Sequence, residues 1–147
     1  MIIQLQPEQI SAFWPAVKHL LFETHRVNGV NTQRKLNFVL QNLLSGSFQC
    51  WLVFESPSDS ERVLHAVGIT CVSTDLLTGD TFLTLDTVFA FRPLGPEMVR
   101  ESVNALTAFA ITNNCSFITT QTNNPRAETL HCSAGFALDK HTYIMKV

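Results

Sequence analysis

Hydrophobic residues in the first third of the chain recur with the spacing of amphipathic helices. Residues 1–5 form a short apolar run typical of an edge strand. Apolar positions then recur every three to four residues over 10–21 and again over 36–44, which predicts two helices with one buried face each. Because proline breaks a helix interior, we expect the first main helix to begin near Ser11, with Pro15 in its first turn.

The middle of the chain has the composition of three consecutive strands. Residues 48–54, 63–72 and 81–91 are rich in β-branched and aromatic side chains, as strands are. A serine-rich segment over 56–60 predicts a turn between the first two. The short connections favour an antiparallel meander, and Gly68 indicates a bulge in the second strand.

Beyond residue 91 the pattern changes to alternating helices and strands. A helix with one apolar face is followed by a strand over 116–120, a short helix that ends at Gly135, and two closing strands, the last of which lies over 143–147. This alternation suggests a parallel crossover. The helical face consists of Val99, Val103, Leu106, Phe109 and Ala110. The predicted order is β-α-α-β-β-β-α-β-α-β-β, which describes one α/β (α+β) domain over residues 1–147, with a mixed, twisted β-sheet flanked by helices.

Composition narrows the class of protein. The chain has 147 residues, 46% of them hydrophobic, and a net charge of −2, which suits one globular domain. Its scattered basic residues do not form the stripe expected of a nucleic-acid binder. No segment approaches the ~20 apolar residues of a membrane span, and the start lacks the pattern of a secretory signal. We therefore expect a cytoplasmic protein with neither nucleic acid nor membrane as a partner.

The four cysteines carry little functional signal. None forms a Cys-x-x-Cys pair, and most lie in or beside apolar runs, where a free thiol behaves as a small hydrophobe. Buried thiols are the favoured interpretation over a disulfide or a metal site. We predict no metal site.

The segment Arg92-Pro-Leu-Gly95-Pro-Glu97 joins a strand to a helix. A glycine turn at this place presents backbone N–H groups to an anion. The alternative is an ordinary helix start, in which Pro96 occupies the first helical position and the helix dipole favours Glu97. Further along, Asn124 precedes a proline, as helix-capping residues often do.

Together these segments resemble the acetyl-coenzyme A half of the GNAT family, the Gcn5-related N-acetyltransferases. In that family a strand ends in an Arg/Gln-x-x-Gly-x-Gly/Ala phosphate loop, followed by a parallel strand, an Asn-x-x-Ala sequence and a Leu-Tyr-x-x-x-Gly-Phe helix. This chain matches at Arg92, Gly95 and Asn124, and at the pair Gly135-Phe136. The resemblance implies the GNAT fold with acetyl-CoA as acyl donor.

The resemblance also implies roles for individual residues. Backbone groups of residues 87–90, those of Val88 and Ala90 among them, would bind the pantetheine arm. Arg92 and Gly95 would bind the pyrophosphate, and Asn124 the pantetheine or pyrophosphate. His131 stands where the family has a tyrosine that protonates the departing thiolate, and a histidine can do the same. Asp86 is the acid within the strand from which the family recruits a base.

Two functions remain open at this stage. The first is transfer of an acetyl group from acetyl-CoA to an amine of an unknown acceptor, a small molecule or a protein. The second is a catalytically silent GNAT-like domain with a structural or interaction role, which the departures at Pro96, Glu97 and His131 favour. A homodimer is left open. Glu55, His65 and Tyr143 are weaker candidates for the acceptor cleft.

Overall fold

The computed structural model of the chain describes residues 1–24, 27, 29–58, 61–122, 124–139 and 145. A short 3-10 turn, Pro7–Gln9, leads into the first helix. Within the described residues the strands are β1 (Ile2–Leu5), β2 (Phe48–Ser58), β3 (Glu61–Thr74), β4 (Thr81–Ala90) and β5 (Ile118–Thr120). The helices are α1 (Ile10–Glu23), α2 (Thr32–Leu44), α3 (Pro96–Thr112) and α4 (Pro125–Ser133).

The strands form one mixed sheet in the order β1-β2-β3-β4-β5. The first four strands pair antiparallel in sequence order, and β5 pairs with β4 in parallel. The predicted meander and the parallel crossover through α3 are therefore both confirmed. Through α4, the order of elements is the predicted one.

Each face of the sheet carries its own hydrophobic core. Helices α1 and α2 pack on one face around a cluster that includes Leu20, Leu43 and Leu52. Helix α3 packs on the other face, where Leu106 and Trp51 belong to a smaller cluster. The sheet is thus the middle of three layers, with more buried side chains on the α1/α2 side.

The bulge predicted at Gly68 lies elsewhere. Gly68 pairs regularly with Val88, whereas the pairing between β3 and β4 skips Asp86 in β4. Asp86 is therefore the extra residue of a bulge. Beyond it, each side chain of β4 lies on the opposite face of the sheet from the one it would take in a regular strand. A Cβ atom on Gly68 would lie 3.5 Å from Cγ2 of Val88, an ordinary van der Waals contact, so the space around this position does not by itself require glycine.

Two element boundaries also differ from those predicted. The expected turn over 56–60 is shorter, because the pairing of β2 with β3 continues to Ser58 and Glu61. Helix α1 begins at Ile10, so Pro15 lies in its second turn rather than its first. The peptide nitrogen of Pro15 has no hydrogen to donate to the carbonyl of Ser11, four residues earlier.

The end of the chain lies largely outside the described residues. The final strand predicted over 143–147 falls there, except for Met145, and so does Tyr143. Among the helices that the structure describes, none combines the length and apolar character needed to cross a bilayer. The described part of the chain also contains no group of three or more potential metal ligands.

The cysteines are less uniformly buried than expected. Cys50 is buried, Cys71 and Cys115 are half-buried, and Cys132 is exposed. Burial among apolar side chains raises the pKa of the Cys50 thiol to about 12, so this group stays protonated at neutral pH.

Candidate functional site

The two parallel strands separate beyond Leu85. β5 pairs with β4 from Leu83 to Leu85 only, and in the described residues β4 has no strand partner on this side from Asp86 onward. On its other side, β4 remains paired with β3 to Ala90. One edge of β4 therefore presents backbone N–H and C=O groups that the sheet does not use.

The bulge determines which side chains border this edge. Leu83 and Leu85 face α3, and in a regular strand Thr87 and Phe89 would follow them on that face. Because Asp86 is an extra residue, Phe89 instead packs into the core beneath α1 and α2. Val88 and Ala90 take the other side and are exposed, which leaves the edge accessible to a ligand.

The connection from β4 to α3 ends in a helix N-terminus. Gly95 is the cap residue, with extended backbone angles of φ −70° and ψ 159° and no capping side chain. Pro96 occupies the first helical position, where a missing N–H costs no helical hydrogen bond. The first turn of α3 still has backbone N–H groups without helical partners, so Pro96 does not remove the anion-binding character of this turn.

Glu97 places a carboxylate in the same turn. Its Oε1 accepts a hydrogen bond from the guanidinium of Arg100, one turn later, and both side chains are exposed. The pair partly offsets the negative charge that Glu97 brings to the turn. The effect of Glu97 on an anionic ligand is therefore weaker than the sequence alone indicates.

His65 fixes the beginning of this connection. Its backbone oxygen accepts hydrogen bonds from the N–H groups of Phe91 (2.8 Å) and Arg92 (3.3 Å). Its buried ring places Nδ1 3.2 Å from the carbonyl oxygen of Pro93 and Nε2 3.0 Å from Oε2 of Glu55. Both ring nitrogens face acceptors, so the two bonds form together when the ring carries both protons.

Helix α4 provides the last of the predicted positions. The Asn124 side chain accepts a hydrogen bond from Arg126 N at 3.0 Å, which confirms it as the cap of the helix. At the other end, Gly135 has φ +94°. The N–H of Phe136 bonds to the carbonyl of His131, and the N–H of Gly135 to that of Cys132. This is a Schellman motif.

His131 belongs to that motif as well as to the predicted site. Its ring centroid lies 5.6 Å from that of Phe136, the hydrophobic contact that usually accompanies a Schellman motif. Partial burial lowers the pKa of His131, because desolvation disfavours the charged imidazolium. Packing therefore accounts for part of the environment of this side chain.

A cavity of about 570 Å³ lies between α3 and α4. It opens beside the β4–α3 connection, since Leu94 and Pro96 line it together with Arg100, Leu130 and Ala134. His131 and Asn124 do not line this cavity. A ligand that reached the helix N-terminus would find an adjacent, partly apolar groove here.

A second cavity, of about 560 Å³, lies on the opposite face of the sheet beneath α2. Its floor comes from β2, β3 and β4, and consists of Phe48, Ile69, Cys71 and Asp86. Its walls come from α1, α2 and the segment between them, and consist of Leu21, Val27, Asn31, Arg34, Lys35, Phe38 and Val39. Asp86 is thus brought into a mostly apolar cavity next to the point where β4 and β5 separate.

The predicted site residues therefore fall into two groups, one along β4 and its connection to α3 and the other on α4. Asp86 lies in the cavity beneath α2, and Val88 and Ala90 follow it on the open edge. Arg92 and Gly95 lie in the connection that continues from this edge. Asn124 and His131 lie at opposite ends of α4, and His131 lines neither cavity.

Sequence analysis missed the polar wall of the cavity beneath α2. Asn31, Arg34 and Lys35 have the i, i+3, i+4 spacing that places residues on one helix face, and this was the available signal. The weaker candidates His65 and Glu55 do not line this cavity; they hold the β4–α3 connection instead.

No protein-family model matches this chain, and no curated protein matches it in sequence. Solved structures match it over its whole length. A probable acetyltransferase has 15% identity and a TM-score of 0.74, with 100% of this chain and 97% of that one covered. AAC(6')-Iy, in complex with a CoA-based bisubstrate analogue, has 13% identity and a TM-score of 0.72, with coverage of 100% and 97%.

The ribosomal-protein-alanine N-acetyltransferase from Brucella melitensis biovar Abortus 2308 has 14% identity and a TM-score of 0.65, with coverage of 100% and 99%. At such identities the agreement concerns the fold. It confirms the fold expected from the resemblance, that of the GNAT acetyltransferases, with a mixed sheet and helices on both of its faces.

Proposed function

We propose that this chain is an N-acetyltransferase that uses acetyl-CoA as acyl donor and a primary amine as acceptor. The observation that carries the proposal is the edge of β4 beyond Leu85, where the strand keeps its β3 partner but has no β5 partner. An extended ligand with amide groups can pair with such an edge through main-chain hydrogen bonds. The pantetheine arm of CoA is a ligand of this kind.

The positions around the edge suit the remainder of the coenzyme. The backbone of residues 87–90 binds the pantetheine arm, and the N-terminal turn of α3 at Gly95 binds the pyrophosphate, whose charge the helix dipole favours. Arg92 adds a cation to the same connection, and Asn124 contacts the arm from α4. In support, AAC(6')-Iy, which has the same fold, binds CoA.

The reaction requires two proton transfers. The neutral amine attacks the thioester carbonyl, and the tetrahedral intermediate collapses to an amide and a thiolate. Asp86 accepts the proton that the amine loses, directly or through water, as a general base does. We assign the protonation of the departing thiolate to His131, because it stands where the family that the chain resembles has the tyrosine with this role, and a histidine can also donate a proton.

Binding and turnover are tested separately. In a thermal unfolding experiment, acetyl-CoA at 100 times its dissociation constant should stabilise the fold by about 2.7 kcal/mol. Release of free thiol in the presence of a panel of amines then measures transfer. Stabilisation without thiol release for any amine would favour the silent-domain alternative, and no stabilisation at all would contradict the proposed coenzyme site.

Substitutions separate the roles of the two titratable residues. Asp86→Asn should lower kcat by roughly 10²–10⁴-fold, the usual contribution of general acid–base catalysis, with little change in coenzyme affinity. His131→Ala should lower it in the same range, and His131→Tyr should restore part of the loss. If the alanine variant turns over as fast as wild type, His131 serves only to pack against Phe136.

A further inference from the structure

The cavity beneath α2 has an uneven distribution of charge. Most of its lining is apolar, with Phe38 and Phe48 as its largest side chains. Its floor carries the carboxylate of Asp86, and one wall carries the cations of Arg34 and Lys35. Asp86 and Lys35 each have an interaction partner within the protein. A ligand that complements this lining therefore has an apolar body and an anionic group that Arg34 can bind.

The cationic wall follows from the register of α2. Asn31, Arg34, Lys35, Phe38 and Val39 occupy positions i, i+3, i+4, i+7 and i+8 and line the cavity together. Leu36 and Leu43, on another face of the helix, are buried in the core. The core therefore fixes the rotation of α2 and, with it, the placement of Arg34 at the cavity.

Arg34 has no carboxylate partner among the described residues. It lies in the first turn of α2, where the helix dipole adds a partial positive charge. A guanidinium binds a carboxylate through two parallel hydrogen bonds, which makes it selective for planar anions.

We infer that the acceptor is a small apolar amine that also carries a carboxylate, such as an apolar α-amino acid, with the carboxylate bound by Arg34. This inference rests on the proposed function for the identity of the reacting amine. A cavity of about 560 Å³ lies in the range of small-molecule sites, ~300–1,000 Å³. Polycationic acceptors are disfavoured, since Arg34 repels them.

The test uses matched amines that differ only in the anionic group. L-Phenylalanine and L-phenylalaninamide share the same ring and the same α-amine, but only the first carries a carboxylate. With wild-type protein, kcat/KM from thiol release should be at least tenfold higher for phenylalanine. The amine of phenylalaninamide is less basic than that of phenylalanine, so a larger fraction of it is in the neutral form that attacks the thioester. A higher kcat/KM for phenylalanine therefore cannot come from a larger supply of neutral amine.

Arg34→Gln should remove that preference. We expect KM for phenylalanine to rise about tenfold, the usual effect of losing a hydrogen bond to a charged group, with KM for phenylalaninamide and both kcat values nearly unchanged. Arg62→Gln is the matched control, because Arg62 is exposed on β3 and lines neither cavity. Arg34→Gln should also fold normally, since the side chain is exposed.

Calorimetric binding of phenylalanine to the CoA-bound protein separates recognition of the acceptor from transfer of the acetyl group. Binding that weakens in Arg34→Gln, without thiol release from acetyl-CoA, would support the inferred ligand and contradict the proposed transfer reaction. Equal kcat/KM for both amines, or equal effects of Arg34→Gln on both, would overturn the inference while leaving acetyl transfer intact. Absence of phenylalanine binding would also overturn it.

Discussion

Gly135 shows how a single residue ends an element. Its φ of +94° lies in a region that residues with a Cβ atom rarely adopt. A Cβ atom there would meet nothing within 4 Å, so the requirement for glycine comes from the backbone conformation alone. The sequence predicted this position correctly, because the Schellman motif depends only on neighbouring residues.

Gly135→Val should therefore destabilise the fold through backbone strain. We expect a loss of about 1–2 kcal/mol, measured as a lower midpoint in thermal or urea unfolding. Gly135→Asn is the control for adding a side chain at this position, because asparagine adopts positive φ more readily than valine; it should lose less stability than Gly135→Val. Equal stability of Gly135→Val and wild type would contradict the role of Gly135 in terminating α4.

His131 gives a second prediction at the residue scale. Its pKa is lowered in the folded protein, so the unfolded chain binds a proton more readily. Between the lowered folded pKa and the unfolded value near ~6.5, stability should therefore fall as the pH falls. Urea unfolding of wild type and His131→Phe at neutral and mildly acidic pH measures this: the stability of wild type should fall more steeply, and parallel pH profiles would contradict it.

At the scale of elements, the sequence predicted the positions of the helices and strands better than it predicted how the strands pair with one another. Periodicity identified the helices and strands, because it reports burial along one element. The bulge at Asp86 depends on how β4 pairs with β3, and nothing within β4 signals it. The hydrogen bonds of His65 to the β4–α3 connection, and the cavity beneath α2, also join residues that are far apart in the chain. The sequence therefore suggested Asp86 and Arg92 but not what surrounds them.

The hydrogen bonds of His65 predict a split between two conservative variants. The amide nitrogen of Asn approximates Nδ1 of histidine, so His65→Asn should keep the bond to Pro93. Gln approximates Nε2, so His65→Gln should keep only the bond to Glu55. If His65 positions the connection, His65→Gln should weaken acetyl-CoA binding several-fold more than His65→Asn in calorimetry. Equal losses would assign His65 to general stability.

At the scale of the whole molecule, the interior of the sheet is held more firmly than its β5 edge. β2 and β3 contribute much of the buried core, whereas β5 has three residues, all half-buried, and α4 has no buried residue among those described. The proposed coenzyme would contact the firmly packed β4 and the loosely packed α4 at once. Its binding energy would then stabilise the part of the fold that opens most easily.

The open edge of β4 has a further consequence for the protein without its ligand. Unpaired strand edges act as templates for association with other chains, and this one is lined by exposed Val88 and Ala90. With acetyl-CoA bound, the pantetheine arm would occupy the edge as a non-peptide strand.

The coenzyme should thus slow aggregation, measured by light scattering below the unfolding temperature. Adenosine 3',5'-bisphosphate, which lacks the arm, should protect less. Equal protection by both would contradict this role. A substrate would then also protect the protein from self-association. The concentration of acetyl-CoA would set the fraction of molecules whose edge is exposed.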